Sequence, residues 1–355
     1  MVLENMTQKK IRILLVGPQA LLISGTRILF RQLVECLRER GDVDLVVLDT
    51  CGVRGAGLKT LPRLVGLVFK LFTSARNCDV ISFHFTLTGI PFIGPFVVMI
   101  ARFWRKPLVS RQFGGMQLSQ LSRAKQAVTR WFINQSKVYI VETKELMRSL
   151  EKDGVKNLHW YPNSRPLPKN RPPPAPRGQC VGKFIFIGHL RVGKGVQVLI
   201  EAAETSDLKL QVDVYGPWYD LPRNAFDGCK RVQYKGELLP DKVLSTIEEY
   251  DALVLPTFFV DEGHPGVIIE AYQAGRPVIG TRWKALPEIV IEEETGLLAE
   301  PRDVASLQKS FARLMESPEL YRRLAAGALE FGKQFSAEAR AEELVNLCRS
   351  VATRK

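Results

Sequence analysis

Glu262 and Glu270 stand with seven residues between them, and the intervening run is Gly263-His264-Pro265-Gly266-Val267-Ile268-Ile269. The run follows the strand-like segment Ala252–Pro256 and leads into a helical pattern. A Gly-His-Pro-Gly entry presents backbone N–H groups with no intrahelical partner, and a helix N-terminus favours an anion. Carboxylates on either side of such a site suit a ligand that carries hydroxyl groups next to phosphates. The same residues also read as a capped helix with a glutamate in its second turn. His84 ends the apolar run Val80–Phe83, where it either faces a ligand or is a buried histidine with a satisfied hydrogen bond. Only four histidines occur, none at ligand spacing from another ligand type, so no metal site is expected. The six cysteines are scattered singly, which reads as reduced thiols in a cytoplasmic protein.

These residues need strands and helices to position them. At 355 residues the chain exceeds the size at which one core stops growing, so two domains are expected. Ile11–Val16, Val43–Leu48, Val80–Phe83, Leu108–Ser110 and Val138–Val141 are short apolar runs separated by helical patterns, the first such helix running from Thr26 to Arg40. Asn163 to Gln179 holds six prolines, which excludes helix and central strand and reads as a semi-rigid linker. The alternation resumes at Lys183–Ile187, Lys209–Tyr215, Val232–Tyr234, Ala252–Leu255 and Pro277–Gly280, and Ser336–Ala352 reads as a final amphipathic helix. The expected fold class is α/β: two doubly wound, Rossmann-like halves, with ligand in a cleft at the carboxyl ends of the strands. The boundaries read as 1–165, a linker at 166–180, 181–335, and a C-terminal helix over 336–355.

Further motifs resemble one known family. The E-x7-E segment continues through Ala274-Gly275-Arg276-Pro277-Val278-Ile279, Leu286-Pro287-Glu288-Ile289 and Thr295-Gly296-Leu297-Leu298. Upstream stand Phe186-Ile187-Gly188-His189-Leu190 and Lys194-Gly195, and near the start Gly17-Pro18 and Ser24-Gly25-Thr26. In order and spacing these motifs resemble the retaining GT-B glycosyltransferases of family GT4, over nearly the whole chain and most strongly from 182 to 302. The resemblance implies an acceptor-binding domain first and a nucleotide-sugar domain second, with the last helix packing back on the first domain. It implies that Glu270 binds the ribose hydroxyls and Glu262 the hydroxyls of the transferred sugar. The amides from His264 to Val267 face sugar and diphosphate, and Lys194 neutralises the leaving diphosphate. Gly17 and Gly25 then oppose the donor phosphates, although alone they read as a tight turn. Gly188, His189, Pro265 and Glu288 complete the expected donor site.

Two departures from the family pattern stand out. Gly188-His189 replaces the usual Gly-Arg, so that Arg191 or His189 has to supply the missing phosphate contact. Arg111-Gln112-Phe113-Gly114 lacks the family's histidine near the donor sugar.

The net charge of +13 is one-sided: residues 1–165 hold 25 Lys/Arg against 11 Asp/Glu, and 166–355 hold 25 against 26. Leu61, Leu64, Val65, Val68, Leu71 and Phe72 share one helical face, with Lys59, Arg63 and Lys70 opposite. This reads either as a core-facing helix with a basic back or as a helix beside an anionic bilayer. Gly89–Trp104 is too short and too interrupted to span a membrane. The function that follows is transfer of a hexose-type sugar from a nucleotide diphosphate donor, UDP by family frequency, to a lipid-linked or polysaccharide acceptor at the inner face of the membrane. No cofactor beyond the donor is expected. A nucleic-acid partner is disfavoured, because no reading motif accompanies the basic half. A non-catalytic relative or a sugar epimerase of the same architecture is the remaining alternative, and a NAD enzyme lacks its GxGxxG.

Overall fold

The computed structural model describes residues 10–19, 25–53, 60–168 and 181–352. Ser24, Leu58, Lys59, Cys180 and most of the proline-rich tract, 169–180, lie outside them. The chain divides into two compact units, one running to Pro162 and resuming at Ala337, the other Asn163–Ser336.

In the first unit the order is β1 (Ile11–Gly17), α1 (Gly25–Arg38), β2 (Val43–Asp49), α2 (Leu61–Ala75), β3 (Val80–Thr86), α3 (Ile90–Phe103), β4 (Leu108–Phe113), α4 (Arg123–Gln135), β5 (Val138–Val141), α5 (Lys144–Lys152) and β6 (Leu158–Trp160). The six strands are parallel in the order β2-β1-β3-β4-β5-β6. In the second unit β7 (Lys183–Ile187), α6 (Val196–Glu204), β8 (Gln211–Tyr215), β9 (Val232–Tyr234), α7 (Val243–Ile247), β10 (Ala252–Val254), α8 (Gly266–Gln273), β11 (Val278–Thr281), β12 (Gly296–Ala299), α9 (Val304–Glu316) and α10 (Pro318–Gly332) follow. Their sheet runs β12-β11-β10-β7-β8-β9, again parallel. The last helix, α11 (Ala337–Ala352), returns to the first unit. There Ala341, Leu344, Val345 and Cys348 are buried in one cluster with Phe30, Leu33 and Leu37 of α1. Arg349 clamps Asp42 at 2.9 Å, and His159 meets Glu343 at 2.6 Å. Strands buried on both faces need near-continuous apolar runs, which is why β3, β4 and β11 were visible as such in the sequence.

Three expectations change. Asn163–Pro166 does not belong to a free linker: Ser164 and Arg165 are buried, and the Arg165 amide donates to the Phe335 carbonyl at 2.9 Å within the second unit. The β6 and β12 strands, Leu158–Trp160 and Gly296–Ala299, were not read as strands from the sequence. Helix α2 packs through Leu67, Leu71 and Ala75, and leaves Leu61, Val65, Phe69 and Phe72 exposed. Its apolar sector spans roughly half the circumference at about 100° per residue, wider than the surface beneath it, so the core takes one edge and solvent the other.

Candidate donor site

In the second sheet, β7 continues to β8 on one side, and the chain later crosses to place β10 on the other. The carboxyl ends of β7 and β10 therefore form the topological switch point of this sheet, where open α/β sheets bind ligands. The loop after β7 runs Gly188-His189-Leu190-Arg191 into a short 3-10 turn, Val192–Lys194, and Gly195 then caps α6. Gly195 has φ +76°, and a Cβ there would lie 2.0 Å from the Pro256 carbonyl oxygen. Only glycine lets the two loops approach this closely.

That approach brings Lys194 onto Glu262. The ammonium donates to both carboxylate oxygens, at 2.8 and 2.7 Å, with side chains only 16% and 7% exposed. Thr257, fully buried in the loop after β10, donates its hydroxyl to Glu262 Oε2 at 2.6 Å and accepts the Phe259 amide at 3.2 Å. A carboxylate this buried needs paired and hydrogen-bonded oxygens, and the cluster supplies both.

Helix α8 begins at Gly266 with Pro265 as its cap, and Glu270 lies one turn in. Glu270 Oε1 accepts from Arg165 Nε at 2.8 Å. His264 is buried beside the helix entry with Nε2 3.2 Å from Glu288 Oε2, and its carbonyl accepts from Asn163 Nδ2 at 2.7 Å. Glu262, His264, Pro265, Gly266, Glu270 and Glu288 are thus gathered around one helix entry, with Gly263 and Val267 between them.

Arg191 lies over the Tyr219 ring at 3.5 Å and 5.0 Å from the centroid of Phe259. Its Nε has no hydrogen-bond partner among the described residues. His189 stacks parallel to Tyr219. Burial, together with Lys194 and Arg191, pushes the His189 imidazole below its usual range, so it is neutral at physiological pH. Of the two candidates for the missing family arginine, Arg191 is therefore the one that carries charge.

The first-unit residues sit on their own sheet. Gly17 ends β1, where a Cβ would lie 2.3 Å from the Phe30 ring, and Gly25 opens α1 with open space around it. His84 is fully buried in β3, with Nε2 2.9 Å from Ser82 Oγ and its ring between Phe30 and Phe113. Burial and the neighbouring Arg111 keep it neutral, so the buried alternative describes His84, and it has no surface from which to act on a substrate. Phe113 is buried as well, with the Arg111 guanidinium 4.9 Å from its ring.

Arg165, Asn163, Thr257, Tyr219 and Phe259 were not singled out from the sequence. Thr257, five residues before Glu262, carried a legible signal, since a hydroxyl between a strand end and a carboxylate is a natural second partner. Arg165 lay hidden in the proline-rich composition of its neighbours.

Residues 182–317 match the family model described as glycosyl transferases group 1. An uncharacterised glycosyltransferase of Methanocaldococcus jannaschii is 31% identical over 156 residues, 43% of this chain and 44% of the relative. A D-inositol 3-phosphate glycosyltransferase of Corynebacterium glutamicum is 30% identical over 176 residues, 46% and 42% of the two chains. The matched region thus spans less than half the length of either relative. The crystal structure of HepE from Anabaena in complex with UDP and glucose superimposes with a TM-score of 0.75, covering 96% of this chain and 100% of that one, at 15% identity. At that identity the likeness is one of fold: two Rossmann-like units, the GT-B class. The family match is confined to residues 182–317, the greater part of the second unit.

Proposed function

We propose that this chain is a retaining glycosyltransferase of the GT4 kind. It moves a hexose-type sugar from a nucleotide diphosphate donor, with UDP as the carrier, to a lipid-linked or polysaccharide acceptor in cell-surface glycan assembly. The observation that carries the reading is the pair of carboxylates at the switch point: Glu262 held by Lys194, and Glu270 one turn into α8, on either side of the Gly266 and Val267 amides at the helix entry. Glu270 receives the ribose hydroxyls and Glu262 those of the sugar. Lys194 keeps one N–H for the diphosphate, whose charge rises as the sugar departs, and Arg191 adds a second cation. With two cations and a helix N-terminus at the diphosphate, no metal is required. The HepE complex, which holds UDP and glucose on the same fold, supports the choice of donor.

The first unit supports a membrane-facing acceptor role on the cytoplasmic side. Leu61, Val65 and Phe69 of α2, exposed by 53–67%, adjoin Met99 and Phe103 of α3, exposed by 63% and 66%. Phe72 and Phe103 join the two rows at 5.2 Å between ring centroids. Arg76 lies over the Trp104 ring at 5.9 Å, and Trp104 packs against both Phe72 and Phe103. An adjacent cavity of about 1480 Å³ is lined by Lys10, Arg102, Arg105, Lys106 and Lys137 beside Trp104. A large exposed apolar patch with a basic rim matches the interface of an anionic bilayer. Among the described residues no helix is long and apolar enough to cross one.

The test is thermal stabilisation by UDP, GDP and ADP and their sugar conjugates, with and without EDTA, on wild type and Glu270→Ala. A ligand at about 100 times its Kd adds roughly 2.7 kcal/mol. We expect one nucleotide to shift the melt, unaffected by EDTA, and the shift to vanish in Glu270→Ala. No shift with any nucleotide refutes the donor reading.

A further inference from the structure

Arg165 is the second residue after Asn163, the first residue of the second unit, and its side chain is only 7% exposed. Its surroundings hold it through the backbone amide, Nη1 and Nε. The backbone amide donates to the Phe335 carbonyl at 2.9 Å. Nη1 donates to Asn163 Oδ1 at 3.1 Å and to the Ser164 carbonyl at 2.9 Å. Asn163 is itself tied to the His264 carbonyl, immediately before α8. Nε is left to meet Glu270 Oε1 at 2.8 Å.

The guanidinium reaches Glu270 by running along the α8 face that carries residues 266 and 270, one turn apart. A Cβ on Gly266 would lie 1.5 Å from Arg165 Nη2 and 2.2 Å from its Cζ. Glycine at 266 thus has a role beyond backbone exposure at the helix entry, because it is what leaves room for Arg165. A planar guanidinium held by its own segment presents its Nε to Glu270 along one direction. It gives Glu270 one orientation and engages one of its two oxygens.

We infer that Arg165 is a positioning residue for the donor nucleotide: it fixes the Glu270 carboxylate so that the second oxygen accepts the ribose hydroxyls. This rests on the proposed role of Glu270 at the ribose. A long glutamate side chain loses rotamer freedom when it binds, and a pre-formed ion pair removes that loss from the binding step. The preference for a nucleotide with its ribose hydroxyls over one without them therefore depends on Arg165.

The experiment is titration of the full chain with UDP and with 2′,3′-dideoxy-UDP, on wild type, Arg165→Ala and Arg165→Lys, with a melting curve for each. Wild type should prefer UDP by at least about tenfold, the range of hydrogen bonds to a charged group. Arg165→Ala should reduce that preference to less than about threefold, and Arg165→Lys should recover part of it, because a point charge replaces a fork. Should Arg165→Ala fail to fold, Arg165→Lys alone decides, since it keeps the charge and must still lower the preference. An unchanged preference in the variants overturns the inference, and so does tighter UDP binding by Arg165→Ala, which would make the arginine a competitor for Glu270. A wild type that binds no UDP at all overturns the UDP-donor reading and the inference with it, a result separate from both.

Discussion

The Gly266→Ala substitution isolates the Arg165–Glu270 contact without touching either partner. The added methyl group falls on the guanidinium, 1.5 Å from Nη2, and that group is the far end of a flexible side chain, so Arg165 rather than the helix yields. The fold itself loses little. Alanine in place of glycine contributes about 0.4–1 kcal/mol through the unfolded chain, against about 1–3 kcal/mol for the ion-paired hydrogen bond. The net is a melting point within several degrees of wild type. Binding responds differently. If the fixed carboxylate supplies the ribose hydrogen bonds, their loss at about 1.5–3 kcal/mol lowers nucleotide affinity roughly 10- to 150-fold. Calorimetric titration with UDP measures it, and dideoxy-UDP serves as the control, because its affinity should barely change. In an Arg165→Ala background the methyl group meets no guanidinium, so Gly266→Ala should add nothing to the binding defect. A Gly266→Ala protein that binds UDP within twofold of wild type refutes the reasoning, as does a double variant in which the two losses add.

Thr257→Val removes the hydroxyl that bonds Glu262 Oε2 at 2.6 Å. On the proposed role of Glu262 at the sugar, transferase turnover should fall about tenfold with little change in the KM for the donor, measured by initial rates, because the carboxylate keeps its place but loses a partner. Arg191→Ala should weaken binding of a nucleoside diphosphate several-fold more than His189→Ala, and neither should affect the monophosphate, since only the arginine is charged at neutral pH. His84 has a depressed imidazole pKa, so the folded state takes up fewer protons than the unfolded one below about pH 6.5. Its contribution to stability is full above that pH and is lost as pH falls, by up to about 1.4 kcal/mol per unit. Denaturant melts of His84→Gln should show an acid slope shallower by up to one proton. Phe69→Ser with Phe103→Ser should leave donor binding intact and reduce co-sedimentation with phosphatidylglycerol vesicles at least about threefold. Equal co-sedimentation would remove the bilayer from the proposal.

The architecture was legible because both sheets are parallel and buried, so each long strand reads as an apolar run with a helix after it. The E-x7-E segment was legible through its resemblance, with the motifs around it, to a known family, since its residues alone also read as a capped helix. What stayed hidden was non-local. Nothing near Glu262 in sequence announces Lys194, which lies 68 residues away, and the pairing emerges only when β7 and β10 become neighbours. Arg165 was masked more thoroughly, because its setting among prolines suggested an extended spacer, whereas its partners are 105 and 170 residues downstream. For α2 the sequence left two readings open for a different reason: the period located the apolar sector, but a period cannot say which edge of a wide sector the core will cover.

The two carboxylates of the donor site are each matched by a cation from a distant segment, and this has a consequence for charge. Lys194 with Glu262 and Arg165 with Glu270 leave the four side chains with no net charge between them. A diphosphate entering this site brings negative charge that the pairs alone do not balance. The α8 N-terminus offsets part of it, and a helix end supplies about half an elementary charge. Arg191 is placed to supply more. It is oriented by Tyr219 and Phe259 rather than by a carboxylate, and stacking holds a guanidinium in place without consuming its hydrogen-bond donors. Arg191 is thus positioned by an aromatic pair, whereas Lys194 is positioned by an acidic partner.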